Sequence, residues 1–320
     1  MSDTEFVYGY YFSQGNGAEK ITSLASLDST RPHWLHFDYT QASTEKWLNE
    51  ESELTPLVIS ALMNDETRPR ASALHDGVLI SLRGVNLAPN SVPEDMVSIR
   101  LWCTKHKVIS TRRRTLLSTR DIATELDNGE GPQNPSEFIV DLTENLIIRM
   151  SNTIYEIEEK VAEIEENLLV SSHYALRTEL SDLRRQIISL RRYLSPQREA
   201  MTQLLSDKIS LFSTESKIQL RETTDHLTRF IEELDSVKDR AVVCQEEVNN
   251  NLTEQMNNRM FVLSIVSAVF LPLGFLTGLL GINVGGIPGA DNHYAFLIFI
   301  LILITVVAAQ VWIFRKKKWF

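Results

Sequence analysis

Charged and apolar positions divide this 320-residue chain into two unequal parts. Charges are frequent as far as Arg259, whereas the stretch from Met260 to Phe314 holds only Asp291. Within it, MFVLSIVSAVFLPLGFLTGLL from Met260 and AFLIFILILITVVAAQVWIF from Ala295 are each long and apolar enough to cross a bilayer as a helix. Only the residues from Gly281 to Tyr294 separate them, which predicts a hairpin with a short external turn. Arg315, Lys316, Lys317 and Lys318 follow the second span, and the turn contains no lysine or arginine, so both termini are expected in the cytoplasm. Trp312 and Trp319 at the same end fit an interfacial aromatic belt.

The two spans differ in kind. The first carries Gly274 and Gly278 at small-xxx-small spacing, Gly281 just beyond, and Pro272, all suited to close helix contact or a kinked pore wall. The second is bulky and β-branched, as a lipid-facing helix would be. One such hairpin cannot enclose a path for an ion, so a transport function requires several copies of the first span around an axis, in a ring-shaped homo-oligomer.

Upstream, WLHFDYT from Trp34, GVLISLRGVNL from Gly77 and MVSIRLWCTKHKVISTR from Met96 read as strands. STEKWLNEES, TPLVISALMNDE and TRDIATELDNGEG read as helices, giving an α/β layered domain, and LAPNSVPED from Leu87 reads as a hairpin loop. After Pro135 the pattern turns helical almost without interruption. Two long helices are expected, the second bent or interrupted at Pro196. A third starts near Thr214 and meets no proline or glycine before Pro272, so it can continue into the membrane to Gly281, roughly 100 Å at the standard rise. A helix of that length is a stalk supported by partners. The expected organisation is an α/β cytoplasmic domain over residues 1–135, a long-helix bundle and stalk over 136–259, a first transmembrane helix over 260–281, an external loop over 282–294, a second transmembrane helix over 295–314 and a basic tail over 315–320.

Composition narrows the function. A net charge of −10 argues against a nucleic-acid partner, and the two cysteines, Cys103 and Cys244, make neither a metal motif nor a disulfide framework. The opening MSDTEFVYGYYFSQ lacks the basic start and apolar run of a secretory signal, so the soluble part is expected to stay where it is synthesised. No phosphate-binding glycine loop, nucleophile elbow or His-Glu-x-x-His motif is present, and no enzyme activity or cofactor is expected.

The stretch LPLGFLTGLLGINVGGIPG, from Leu271 to Gly289, resembles the CorA-type metal ion transporter family, which carries a Gly-x-Asn triplet at the outer end of the first membrane helix. Here the triplet is Gly281, Ile282 and Asn283. The residues that follow, with the strings ETRPR from Glu66 and VISTR from Val108, resemble the zinc-transporting ZntB branch. The resemblance implies a funnel-shaped homopentamer in a bacterial inner membrane, with first membrane helices lining the pore and second helices outside them. It implies transport of Zn2+, with Co2+, Ni2+ or Cd2+ as further cargo, by uptake coupled to protons. It also places Asn257, Met260, Leu263 and Leu271 on or near the pore, while Gly274 departs from the threonine or serine common there.

Asn283 is the leading candidate as metal-contacting residue. Five copies would set amide oxygens around the mouth, where they accept hydrogen bonds from a hydrated cation or bind it weakly enough to release it. Asp291 and His293 in the outer loop are candidate cation attractors, as is the cytoplasmic run Glu156, Glu158, Glu159, Glu163, Glu165 and Glu166, which reads equally as a solvated helix face. The rival readings are a channel for Mg2+ or divalent cations broadly, zinc efflux, and a membrane-anchored structural or sensory oligomer.

Overall fold

The computed structural model describes residues 6–13, 18–65, 68–74, 76–168, 173–281, 289 and 292–316. The chain divides into two compact units, Met1–Glu246 and Glu247–Phe320.

The first unit opens with a seven-stranded sheet: β1 (Tyr8–Tyr11), β2 (Glu19–Lys20), β3 (His33–Asp38), β4 (Arg70–Leu74), β5 (Gly77–Gly84), β6 (Val97–Cys103) and β7 (Lys107–Arg112), in the order β2-β1-β3-β7-β6-β5-β4. β3 and β7 pair parallel, from His33 with Lys107 to Asp38 with Arg112, and every other pair is antiparallel. Both faces are covered, so the inner strands read as nearly continuous apolar runs rather than alternating ones. On one face, Leu35, Phe37, Leu79, Trp102 and Ile109 pack with Trp47 and Leu48 of α1 (Ala42–Glu50) and Val58, Ile59 and Leu62 of α2 (Pro56–Met63). On the other face lies Trp34, fully buried, its ring centred 4.6 Å from that of Phe138. Cys103 and Cys244 are both buried, and burial raises the pKa of the Cys103 thiol.

The run MVSIRLWCTKHKVISTR, read as one strand segment, is folded into a hairpin. Thr104 turns the chain: its Oγ1 accepts from the backbone N–H groups of His106 (3.3 Å) and Lys107 (3.1 Å), and its own N–H donates to Lys107 O (2.9 Å). A threonine that offers its hydroxyl to nearby backbone competes with the strand ladder.

After α3 (Leu117–Asp127) come the long helices α4 (Pro135–Asn167), α5 (His173–Leu204) and α6 (Thr214–Gly281). Asn134 caps α4 by accepting from Ser136 and Glu137 N–H, both at 3.0 Å, while Glu137 accepts from Gln133 N–H at 2.8 Å, and Pro135 stands at the helix start. Buried residues recur at three- and four-residue spacing along α4 (Leu142, Leu146, Met150, Ile154, Ile157), α5 (Leu180, Leu183, Ile187, Leu190, Leu194) and α6 (Leu227, Ile231, Leu234, Val237, Ala241). Pro196 lies inside α5 without ending it. Gln197 beside it accepts a hydrogen bond from the N–H of Arg83 in β5 at 2.7 Å.

Asp141 on α4 is mostly buried and faces the negative charges of Glu125, Glu137 and Glu144. Burial first, then those like charges, push its carboxyl up to about 7. The folded state therefore holds a proton at Asp141 that the unfolded chain releases near pH 4, and the contribution of this group to stability falls as pH rises between about 4 and about 7, opposite in sign to that of the buried neutral His36. Asp141→Asn is expected to remove that contribution and to stabilise the protein at pH 8 by about 1–2 kcal/mol. Thermal melts of both proteins across that range check this; a difference between the two that does not change with pH would refute it.

Candidate pore-forming site

The second unit contains the apolar end of α6 and the helix α7 (Ala295–Lys316), and both have an 18-residue window that is 0% buried. Such surface on two helices of spanning length calls for lipid or further protein. Met260, Leu263 and Leu271 are 61%, 66% and 73% exposed, and Asn257 is exposed one turn earlier. α6 runs unbroken through Pro272 and ends at Gly281. Around Gly274, Gly278 and Gly281 a Cβ would meet nothing within 4 Å, so the glycine positions leave room for a second surface to approach the backbone. Gly274 also lines a cleft of about 910 Å³ between the spans, with Phe270, Leu273, Thr277, Val307 and Val311.

The turn between α6 and α7 is described only in part. Ile282, Asn283 and Asp291 lie outside the described residues. Asn292 lies in the turn that leads into α7: its side chain accepts from Tyr294 N–H at 2.9 Å, and its carbonyl accepts from Ala295 N–H at 3.0 Å. His293 is exposed, its ring 5.7 Å from that of Tyr294 in an edge-on arrangement. At the other end of α7, Lys316 Nζ sits 5.1 Å from the centre of the Trp312 ring, an arrangement suited to the interface.

The acidic run on α4 splits by helix face. Glu156, Glu159, Glu163 and Glu166 are exposed, whereas Glu158 and Glu165 are half-buried beside Arg240 of α6. Glu165 accepts from Arg240 Nε at 2.9 Å and Nη2 at 2.5 Å, which holds its carboxyl below the usual range. Those two carboxylates are held in ion pairs, and four remain open to solution. Among the described residues no three His, Cys, Asp or Glu side chains come together as a metal site. His33 and His36 are buried in β3, where burial and the neighbouring Arg112 keep His36 neutral down to about pH 3.

One polar contact between α6 and α7 escaped the sequence reading, which took the second span as bulky, β-branched and lipid-facing. Gln310 of α7 donates from Nε2 to the carbonyl of Ala268 in α6 at 3.2 Å. A lone amide in an apolar span was the available signal.

Residues 29–316 match the family model described as CorA-like Mg2+ transporter protein. The zinc transport protein ZntB of Pectobacterium carotovorum is 36% identical over 313 residues, covering 98% of this chain and 95% of that protein. The divalent cation transporter CmaX of Pseudomonas aeruginosa is 37% identical over 319 residues, covering 98% and 96%. The structure of full-length CmaX superimposes with a TM-score of 0.87 at 35% identity over 98% of each chain. The CorA magnesium transporter of Methanocaldococcus jannaschii shares the fold, with a TM-score of 0.82 at 13% identity over 98% of this chain and 99% of that one. A match running from the sheet domain through both apolar helices leaves no part of the architecture unaccounted for, and the chain belongs to the CorA-like Mg2+ transporter family.

Proposed function

We propose that this protein carries divalent cations, zinc foremost, across a bacterial inner membrane as a homopentamer. The observation that carries the reading is the near full-length similarity to a protein named for zinc transport, joined to two exposed apolar helices of spanning length. Five first-span helices around an axis would cover the exposed face of Met260, Leu263 and Leu271 and close a path that one hairpin cannot form. Gly281, Ile282 and Asn283 would form the external mouth, with Asp291 and His293 as attractors beside it. Asn257 would add a second amide ring toward the cytoplasmic side, and the exposed acids Glu156, Glu159, Glu163 and Glu166 would concentrate cations there. Both termini would be cytoplasmic, given the basic end of α7 at Arg315 and Lys316. Co2+, Ni2+ and Cd2+ would share the path.

Zinc entry would be coupled to protons. Neither span contains an acid, a base or a histidine, so the coupling would run through loop groups, pore water or cytoplasmic carboxylates. A second reading, a channel for Mg2+ or divalent cations broadly, is favoured by the family description and by the name of CmaX.

Sealed proteoliposomes with internal zinc and pH recorded together decide between them. Coupled uptake is expected to accelerate when a proton gradient is imposed and to dissipate that gradient. Flux that follows the cation gradient alone, without proton movement, would leave the channel reading standing. No flux of zinc, magnesium, cobalt or nickel above protein-free liposomes would overturn both.

A further inference from the structure

Proline in the interior of a helix removes the N–H that should reach the carbonyl four residues earlier. For Pro272 that carbonyl belongs to Ala268, inside a tract with no ionisable side chain and, in a bilayer, no water to take the bond. An unpaired carbonyl in hydrocarbon is costly, so a proline at this level needs a substitute donor.

The carbonyl that Gln310 reaches is this one. Its Nε2 lies 3.2 Å from Ala268 O, within the range of an N–H···O hydrogen bond. Gln310 is the one amide side chain in the tract from Ala295 to Phe314, and it stands opposite the one carbonyl that Pro272 orphans. Its Oε1 is buried and without a hydrogen-bond partner among the described residues, so the chain keeps a half-satisfied amide here at a cost. An apolar side chain would avoid that cost and leave Ala268 unpaired.

We propose that Gln310 is a positioning residue: its side-chain amide replaces the missing proline N–H, clamps the second span to the first at the proline, and so sets the direction in which the outer part of α6 leaves Pro272. The nine residues from Leu273 to Gly281 carry Gly274, Gly278 and the start of the mouth triplet, so the clamp acts on the mouth through the helix that holds it. Thr277 stands in the same stretch, its hydroxyl donating to Leu273 O at 2.9 Å and Gly274 O at 3.1 Å, a local bond that bends helices. The positioning role in transport rests on the function proposed above; the substitution of donor for donor does not.

The test is a double-mutant cycle on the purified full-length protein, using Gln310→Leu, Pro272→Ala and both together. Alanine at 272 restores a backbone N–H to Ala268, which then no longer needs Gln310. In the wild-type background Gln310→Leu is expected to lower the folding equilibrium constant, read by graded denaturant unfolding in micelles. In the Pro272→Ala background it should cost less, by a factor of about 3 to 20. Equal effects in the two backgrounds would overturn the assignment of Gln310 as substitute donor.

Zinc flux in proteoliposomes tests the second half. Gln310→Leu is expected to lose several-fold in flux with the oligomer intact by light scattering. Coupling in the cycle with undiminished flux would overturn the positioning role and leave a structural hydrogen bond. Absence of flux in the wild type would overturn the transport reading, while the cycle would still decide whether Gln310 serves Ala268.

Discussion

On the proposed function, Asn283→Ala is expected to reduce zinc flux about tenfold or more while the oligomer stays intact, because the proposed ring of amide acceptors, worth at least 1.4 kcal/mol to a cation at the mouth, would be lost. Asn283 follows Gly281, the last residue of α6, by two positions, and no aspartate or glutamate lies in either span to take over its role. In that proposed role a carbonyl dipole would draw the ion without holding it. Asn283→Asp makes the contrast: five carboxylates would bind a divalent cation more tightly and release it more slowly, and their protonation would make flux fall in acid. Initial rates of uptake, with light scattering to count subunits, measure both variants. Full flux in Asn283→Ala would remove Asn283 from the ion path. Loss of flux together with loss of the oligomer would assign it to assembly.

The second large effect is on folding. Trp34→Ala is expected to destabilise the protein by about 3–5 kcal/mol, a large part of the marginal stability of a domain. Trp34 is fully buried in β3, between the antiparallel partner β1 and the parallel partner β7. Its ring is centred 5.7 Å from Tyr8, 5.9 Å from Tyr10 and 4.6 Å from Phe138 of α4, and its Nε1 donates to Ser110 Oγ at 2.8 Å. Truncation opens a cavity between sheet and helix and removes that bond. Trp34→Phe keeps most of the ring contacts and loses the N–H, so it should cost about 1–2 kcal/mol. Thermal unfolding of the full-length protein, followed by circular dichroism, should place the alanine variant about 10 °C or more below the wild type. A shift no larger than that of the phenylalanine variant would show that the sheet and α4 do not depend on this contact.

Both sites show how much of the molecule was legible beforehand. The Gly-x-Asn triplet was recognisable only from its position between two spans, and that position is set by hydropathy and length, which are properties of the sequence alone. Trp34 was readable as a strand residue, but its partner Phe138 stands about a hundred positions away and nothing local connects them. β4 escaped the reading because RASAL is short, mixed in character and half-exposed. Similarly, the acidic run on α4 looked uniform until α6 brought Arg240 against Glu158 and Glu165.

What the sequence determined by itself is the set of elements whose causes are local or compositional: the two apolar spans, the capped start of α4, and a helix that continues from Thr214 into the first span because no glycine or proline comes before Pro272. Proline also predicts, from covalent geometry alone, that Ala268 O loses its usual i→i−4 partner within its own helix. Which group answers that carbonyl was decided by tertiary structure, as were the sheet order, the parallel pairing of β3 with β7, and the burial of Trp34 against α4. Those outcomes depend on side chains far apart in sequence meeting across a packed face, and the free energy that selects them exists only once the faces are assembled.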